Sequence, residues 1–179
     1  MSNVINEYIQ LTELAFSDPI ITSAQKNPFI ETLSEADRLT RAECFNDGYD
    51  LLMQLEENEN LSALERGMVE GTFGYAFINA QRYEEAIDKY KLAIVYFSSV
   101  DENDKNIALS HNVTALHGIT VALDRLGKNA EAIEILINEL STDDLSEYAK
   151  LMYTSSICNR IIRSCSHLQK EPTSAILVT

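Results

Sequence analysis

Glycine and proline are scarce, 6 and 3 in 179 residues. A chain so poor in turn-forming residues is not a turn-rich all-β protein, and it favours long helices. Cysteine is scarce too. Cys44, Cys158 and Cys165 are odd in number and widely spaced. That argues against a disulfide framework and for a reducing compartment, the cytoplasm. No uninterrupted apolar run reaches the roughly 18 residues that a membrane span needs. The opening MSNVINEYIQLTELAF has no basic residue ahead of its apolar positions and does not read as a secretory signal. Basic residues are few, 14 against 28 acids, for a formal charge of −14. Such a surface repels phosphate and counts against sequence-independent nucleic-acid binding.

What is present is enough for one domain with a real core: 45% of residues are apolar. The negative charge is uneven. Residues 1–66 hold 13 acids and 4 bases, residues 67–140 hold 11 and 6, and residues 141–179 hold 4 of each. A basic partner would be drawn to the first two-thirds, although a merely solvated surface explains the same charge.

Hydrophobic spacing predicts an all-α protein. An amphipathic helix is expected over 4–16, ended by Asp18-Pro19. Residues 17–33 read as a loop with at most one helical turn. Ser34 begins SEAD, an N-cap followed by carboxylates, and a single helix is expected from there to about Glu57. Gly48 in its middle suits close approach of a neighbour. Further helices are expected over about 61–80, 83–99, 106–126, 129–140 and 143–168, with Gly127 a left-handed stop between two of them. The organisation is therefore an N-terminal helix and loop (1–33), a helical domain (34–168) and a tail (169–179).

FGYAFINAQRYEEAIDKYKLAI, residues 73–94, aligns without a gap on ITVALDRLGKNAEAIEILINEL, residues 119–140. YEEAIDKY lies over NAEAIEIL, and Ala86 over Ala132, 46 positions on. Each copy is a helix, a tight turn, and a second helix opening on EAI. These segments resemble tetratricopeptide repeats. Phe73, Gly74 and Phe77 stand at that family's Leu, Gly and Tyr places; Ala86, Tyr90 and Ala93 stand at its Ala, Phe and later small places. The second copy offers Ile119, Leu123, Gly127, Ala132 and Leu136. It departs at Thr120 and Glu139, the Trp place holds Glu70 or Leu116, neither copy ends in proline, and the spacing exceeds the family's period of about 34.

The resemblance implies repeats over about 61–99 and 106–140, stacked as antiparallel hairpins in an α-solenoid, with 143–168 as a capping helix. Small residues at Gly74, Ala76, Ala86 and Ala93 let backbones approach, and Phe73, Phe77, Tyr83, Tyr90 and Leu92 are expected to fill the spaces between. It also implies a hollow side lined by the first helix of each hairpin. By helical position that side carries Met68, Gly71, Tyr75, Ile78 and Asn79 from the first copy. Thr114, His117, Val121, Asp124 and Arg125 come from the second. Tyr75, Asn79 and Arg125 are the expected partner contacts. Residues 1–33 could instead fill the hollow. Gly71 and Tyr75 stand where relatives that clamp a carboxylate have Lys and Asn, so binding of a chaperone C-terminus is not expected.

No catalytic constellation converges. His111 and His117 are six apart, about 240° around a helix, which does not bring them to one metal. Cys158 and Cys165, a heptad apart near His167, read as small buried residues. Glu84-Glu85 and Asp143-Asp144 suit helix N-termini. DENDKN lacks the Gly and final Glu of a calcium loop. The apolar tail AILVT could dock on a partner or on its own domain.

The expected function is a non-enzymatic module that binds a polypeptide, basic in character, without cofactor or metal: a chaperone or adaptor. An immunity- or antitoxin-like protein covering a basic toxin fits the charge equally well. A peptide-sensing regulator fits less well, because no DNA-binding segment accompanies the repeats. Self-association through the neutral C-terminal helix would make a homodimer.

Overall fold

The structure is a computed structural model that describes residues 27–42, 44–142 and 145–168, with the side chains of the last helix described as far as Arg163. Among the described residues there are seven helices and no strand. They are α1 (Pro28–Arg41), α2 (Phe45–Glu56), α3 (Ala63–Asn79), α4 (Tyr83–Phe97), α5 (Lys105–Arg125), α6 (Asn129–Leu140) and α7 (Glu147–Leu168). The protein is all-α. The helix expected over 4–16 and the apolar tail lie outside the described residues, as do Asp143-Asp144 and the side chains of Cys165 and His167.

From Pro28 to Glu56, where the end of a loop and one long helix were expected, there is instead a pair of helices. Helix α1 starts six residues before Ser34. Asn27 caps it, its Oδ1 accepting the Phe29 N–H at 3.0 Å, and Pro28 follows at a first-turn position where no N–H is needed. The chain then reverses near Ala42 and Cys44, with the Cys44 N–H donating to the Leu39 carbonyl. The reversal holds neither glycine nor proline. What fixes it is contact: a β-carbon on Gly48 would stand 2.8 Å from the Ala36 carbonyl and 2.7 Å from Thr40 Cγ2. Gly48 does mark a close approach, but to the preceding helix.

Each helix packs on the next one along the chain. The pairings give the directions. Gly74 faces Tyr90 and Gly67 faces Phe97, so α3 and α4 are antiparallel. Gly118 faces Tyr90 and His111 stacks on Phe97 at 5.3 Å, so α4 and α5 are antiparallel too. Arg160 reaches the Thr120 carbonyl and Arg163 reaches Asp124, so α5 and α7 run the same way. An aromatic cluster joins α2 to α3: Tyr49 meets Phe73 edge-on at 5.5 Å, and Phe45 lies 6.3 Å from Phe77.

The two aligned segments match in burial. Phe73 and Ile119, Ala76 and Ala122, Phe77 and Leu123, Ala86 and Ala132, and Tyr90 and Leu136 are buried in pairs. Their helix ends match as well. Gln81 and Gly127 both have positive φ, 60° and 76°. The N–H groups that follow, of Arg82 and Lys128, both donate at 2.8 Å to carbonyls five residues back, Phe77 and Leu123.

Two expectations about packing need correction. Leu92, expected to fill the α3–α4 interface, is exposed, because Ala86, Tyr90, Ala93 and Phe97 already define the buried face of α4. Cys158 is exposed rather than buried. The buried face of α7 runs through Ala149, Tyr153, Ser156 and Arg160, which leaves Tyr148 and Ile161 outside. That face is apolar at Ala149 and Tyr153 and polar at Ser156 and Arg160.

Candidate functional site

A cavity of about 490 Å³ opens along α3 and α5, with α1 as its third wall. Met68, Tyr75 and Ile78 line it from α3, and Thr114, His117 and Val121 from α5. Leu33 and Arg41 come from α1, and Tyr90 and Phe97 from α4 form part of its lining. Seven of the ten residues expected on the hollow side, Gly71 among them, therefore meet at one cavity. The other three do not. Asn79 lines a separate hollow with Thr40, Arg41 and Phe45. Asp124 lies further along α5, in a second hollow bounded by α7. Arg125 is exposed in the last turn of α5, where its charge suits the C-terminal end of the helix.

The second hollow, of about 190 Å³, shares His117 and Val121 with the first. Met152, Ser156, Asn159, Arg160 and Arg163 of α7 form its other side. The two hollows, together termed the groove, adjoin at His117 and Val121 and draw on α1, α3, α5 and α7 in turn. The α3–α5 part is mainly apolar. The α5–α7 part is polar.

Arg41 fixes Tyr75 at the α1 edge. Its guanidinium lies 4.2 Å from the Tyr75 ring centroid, donates from Nη1 to the Tyr75 hydroxyl at 3.0 Å, and donates from Nε to Asp37 at 2.7 Å. Holding the ring in this way lowers the entropy it would lose on contact with a partner. His111 and His117 both face the cavity although they are six residues apart, because its walls wrap around a broad arc of α5. Burial pushes both imidazoles below their ordinary range, and Arg160 adds to the effect at His117, so both are neutral at pH 7. Among the described residues no three His, Cys, Asp or Glu side chains gather as metal ligands.

Behind the groove, Lys89 of α4 joins α2 to α3. Its ammonium is 2.7 Å from Glu56 and 2.8 Å from Glu70, and 4.3 Å above the Phe73 ring. Glu70, at the family's Trp place, is only 4% exposed. This triad is structural. None of its three residues lines the cavity, and it ties three helices together.

Sequence reasoning missed the contributions of α1, α4 and α7 to the groove. For α7 a signal existed: Tyr153, Ser156 and Arg160 follow Ala149 at helical spacing, which puts an arginine on the buried face. For α1 and α4 no local pattern says which residues a neighbouring helix leaves uncovered.

Fold and groove together define the class: an all-α protein of consecutively packed helices with a groove along one side. Comparison with known protein families, with curated proteins and with solved structures finds no match to this chain. Among the described residues no helix is long and apolar enough to cross a membrane.

Proposed function

We propose that this chain is a non-enzymatic interaction module, built as a short tetratricopeptide-like solenoid, that holds a segment of another polypeptide in its groove as an adaptor or chaperone does. The observation that carries this reading is the continuity of the groove. Met68, Tyr75, Ile78 and Val121 offer a mostly apolar channel large enough for side chains of a bound segment. Tyr75 is pre-set by Arg41. The matched burial and matched helix ends of the two hairpins support the repeat assignment. The exposed thiols of Cys44 and Cys158 suit a reducing compartment, and we place the protein in the cytoplasm.

A second reading rests on charge. Of the fully charged side chains that line the groove, Arg41, Arg160 and Arg163 outnumber Asp124. Among the described residues the acidic side chains other than Asp124 therefore stand outside the groove lining. A basic partner would meet that outer surface, as in an immunity- or antitoxin-like complex.

Selection of a displayed random-peptide library on the immobilised full chain tests the groove. Peptides are expected whose capture is lost in Ile78→Glu and Val121→Glu and kept in Val95→Glu, a change on the exposed side of α4. Capture that is indifferent to the groove variants, with circular dichroism showing them folded, sinks the reading. Capture lost only on reversing exterior acids favours the second.

A further inference from the structure

We infer that the polar hollow between α5 and α7 is a carboxylate subsite of the groove, built around Arg160, that takes the glutamate side chain of a bound peptide. This rests on the groove reading above and names a chemistry for one end of it.

Arg160 carries a charge that no carboxylate among the described residues balances. Arg160 is 3% exposed. Its Nη1 donates to the Ser156 carbonyl and hydroxyl, and its Nη2 to the Thr120 carbonyl at 2.7 Å. All three acceptors are neutral. The Nε–H is buried and has no hydrogen-bond partner among the described residues. Buried guanidinium groups are ordinarily paired with a carboxylate, because desolvating an unpaired cation is costly. The nearest candidate, Asp124, is engaged by Arg163 at 2.9 Å. Burial accordingly pulls the Arg160 guanidinium below its ordinary value, with Asp124 acting in the opposite sense and Arg163 in the same one. His117 Nδ1, on the facing wall, is likewise buried without a partner.

The charge count selects the ligand. Arg160 and Arg163 against Asp124, with His117 neutral, leave one net positive charge. One carboxylate balances it. A phosphate dianion would exceed it and face Asp124. Depth selects the source. The free donor belongs to the buried arginine, while Arg163 and Asn159 are exposed at the rim. A carboxylate must be carried down to it on a flexible side chain, and a main-chain terminus at the rim would meet Arg163 first. Continuity with the apolar cavity through His117 and Val121 places apolar residues of the same peptide beside the glutamate.

The test uses the full chain with the arginine Nε–H signals assigned by NMR. The probes are N-acetylglutamate amide, N-acetylglutamine amide, N-acetylalanine and inorganic phosphate. The glutamate compound should shift the Arg160 Nε–H signal saturably, and the glutamine compound should bind about tenfold more weakly or not at all, as loss of a charge-assisted hydrogen bond requires. Asp124→Asn should tighten glutamate binding about threefold by removing a like charge at the rim. Arg160→Gln should abolish binding; because this change can loosen α7, Asp124→Asn carries the decision if it does. Equal binding of the glutamine compound, tighter binding of N-acetylalanine or phosphate, or no effect of Asp124→Asn overturns the assignment. Failure here with groove-dependent peptide capture intact refutes the subsite alone. Loss of groove-dependent capture refutes the underlying reading.

Discussion

The phenol ring of Tyr90 occupies the space that a β-carbon on Gly118 would need, and from the other side a β-carbon on Gly74 would stand 2.8 Å from the same ring. One side chain of α4 is thus clamped between α3 and α5. The ring also forms part of the lining of the groove. Packing and candidate function meet at this residue, because the separation of α3 and α5 sets the width of the cavity.

Gly118→Ala is expected to destabilise the protein by about 1–3 kcal/mol, the usual cost of overpacking a filled core. Tyr90→Leu should relieve much of it. Urea denaturation of the two single variants and the double variant should show a coupling of about 0.5–3 kcal/mol. Additive effects would mean that the ring does not separate the helices.

Gln81 and Gly127 hold the same left-handed position after α3 and α5, but only one of them is glycine. Gln81→Gly should stabilise by up to about 1 kcal/mol, since a side chain with positive φ is strained. Gly127→Ala should destabilise by about 1–2 kcal/mol for the same reason. Thermal or urea melts of both variants give the comparison, and effects of the same sign would refute the equivalence of the two turns.

Burial raises the pKa of Glu70 above its ordinary 4.5, and the hydrogen bond and charge of Lys89 offset part of that shift. The folded protein therefore holds this proton more tightly than the unfolded chain does. The resulting stability is fully present below 4.5 and is lost as pH rises through the raised folded value. Glu70→Gln should remove this dependence, so that the variant gains on the parent as pH rises through that window. At Lys89, burial lowers the pKa, but the bonds to Glu56 and Glu70 outweigh it and leave it raised. Lys89→Met strands the buried carboxylate and should cost about 3–5 kcal/mol at pH 7. Denaturation series across pH check both.

The groove histidines pull the other way. Burial lowers the pKa of His111 and His117 below 6.5. Both are neutral, in folded and unfolded chain alike, above that range. As pH falls through 6.5 the unfolded chain takes up protons first, and stability declines until the folded values are reached. NMR titration of their ring protons should place both midpoints below 6.5, and a midpoint above it at either residue refutes the burial argument.

Much of the fold was legible because it is written locally. The stop at Gly127, the EAI openings of α4 and α6, and the alanines at 86 and 132 carry their structural meaning within a few turns of chain, and the burial pattern follows them. The start of α1 was also legible in Asn27-Pro28, but the stronger-looking cap at Ser34 masked it. Of the groove, the faces of α3 and α5 followed from helical position. Asn79 and Arg125, although on those helices, fall outside the main cavity, because its extent depends on where the neighbouring helices stop.

The sequence by itself determined that the chain is helical, where most helices end, and which small residues permit close contact, since periodicity, caps and missing β-carbons act over short distances. Tertiary structure alone decided that 28–56 folds back on itself, that α1 and α4 share the groove, and that Arg160 has no carboxylate partner among the described residues. The last of these depends on residues 40 positions apart being packed together, Arg160 and Thr120, and no local pattern encodes which side chain a distant helix will cover.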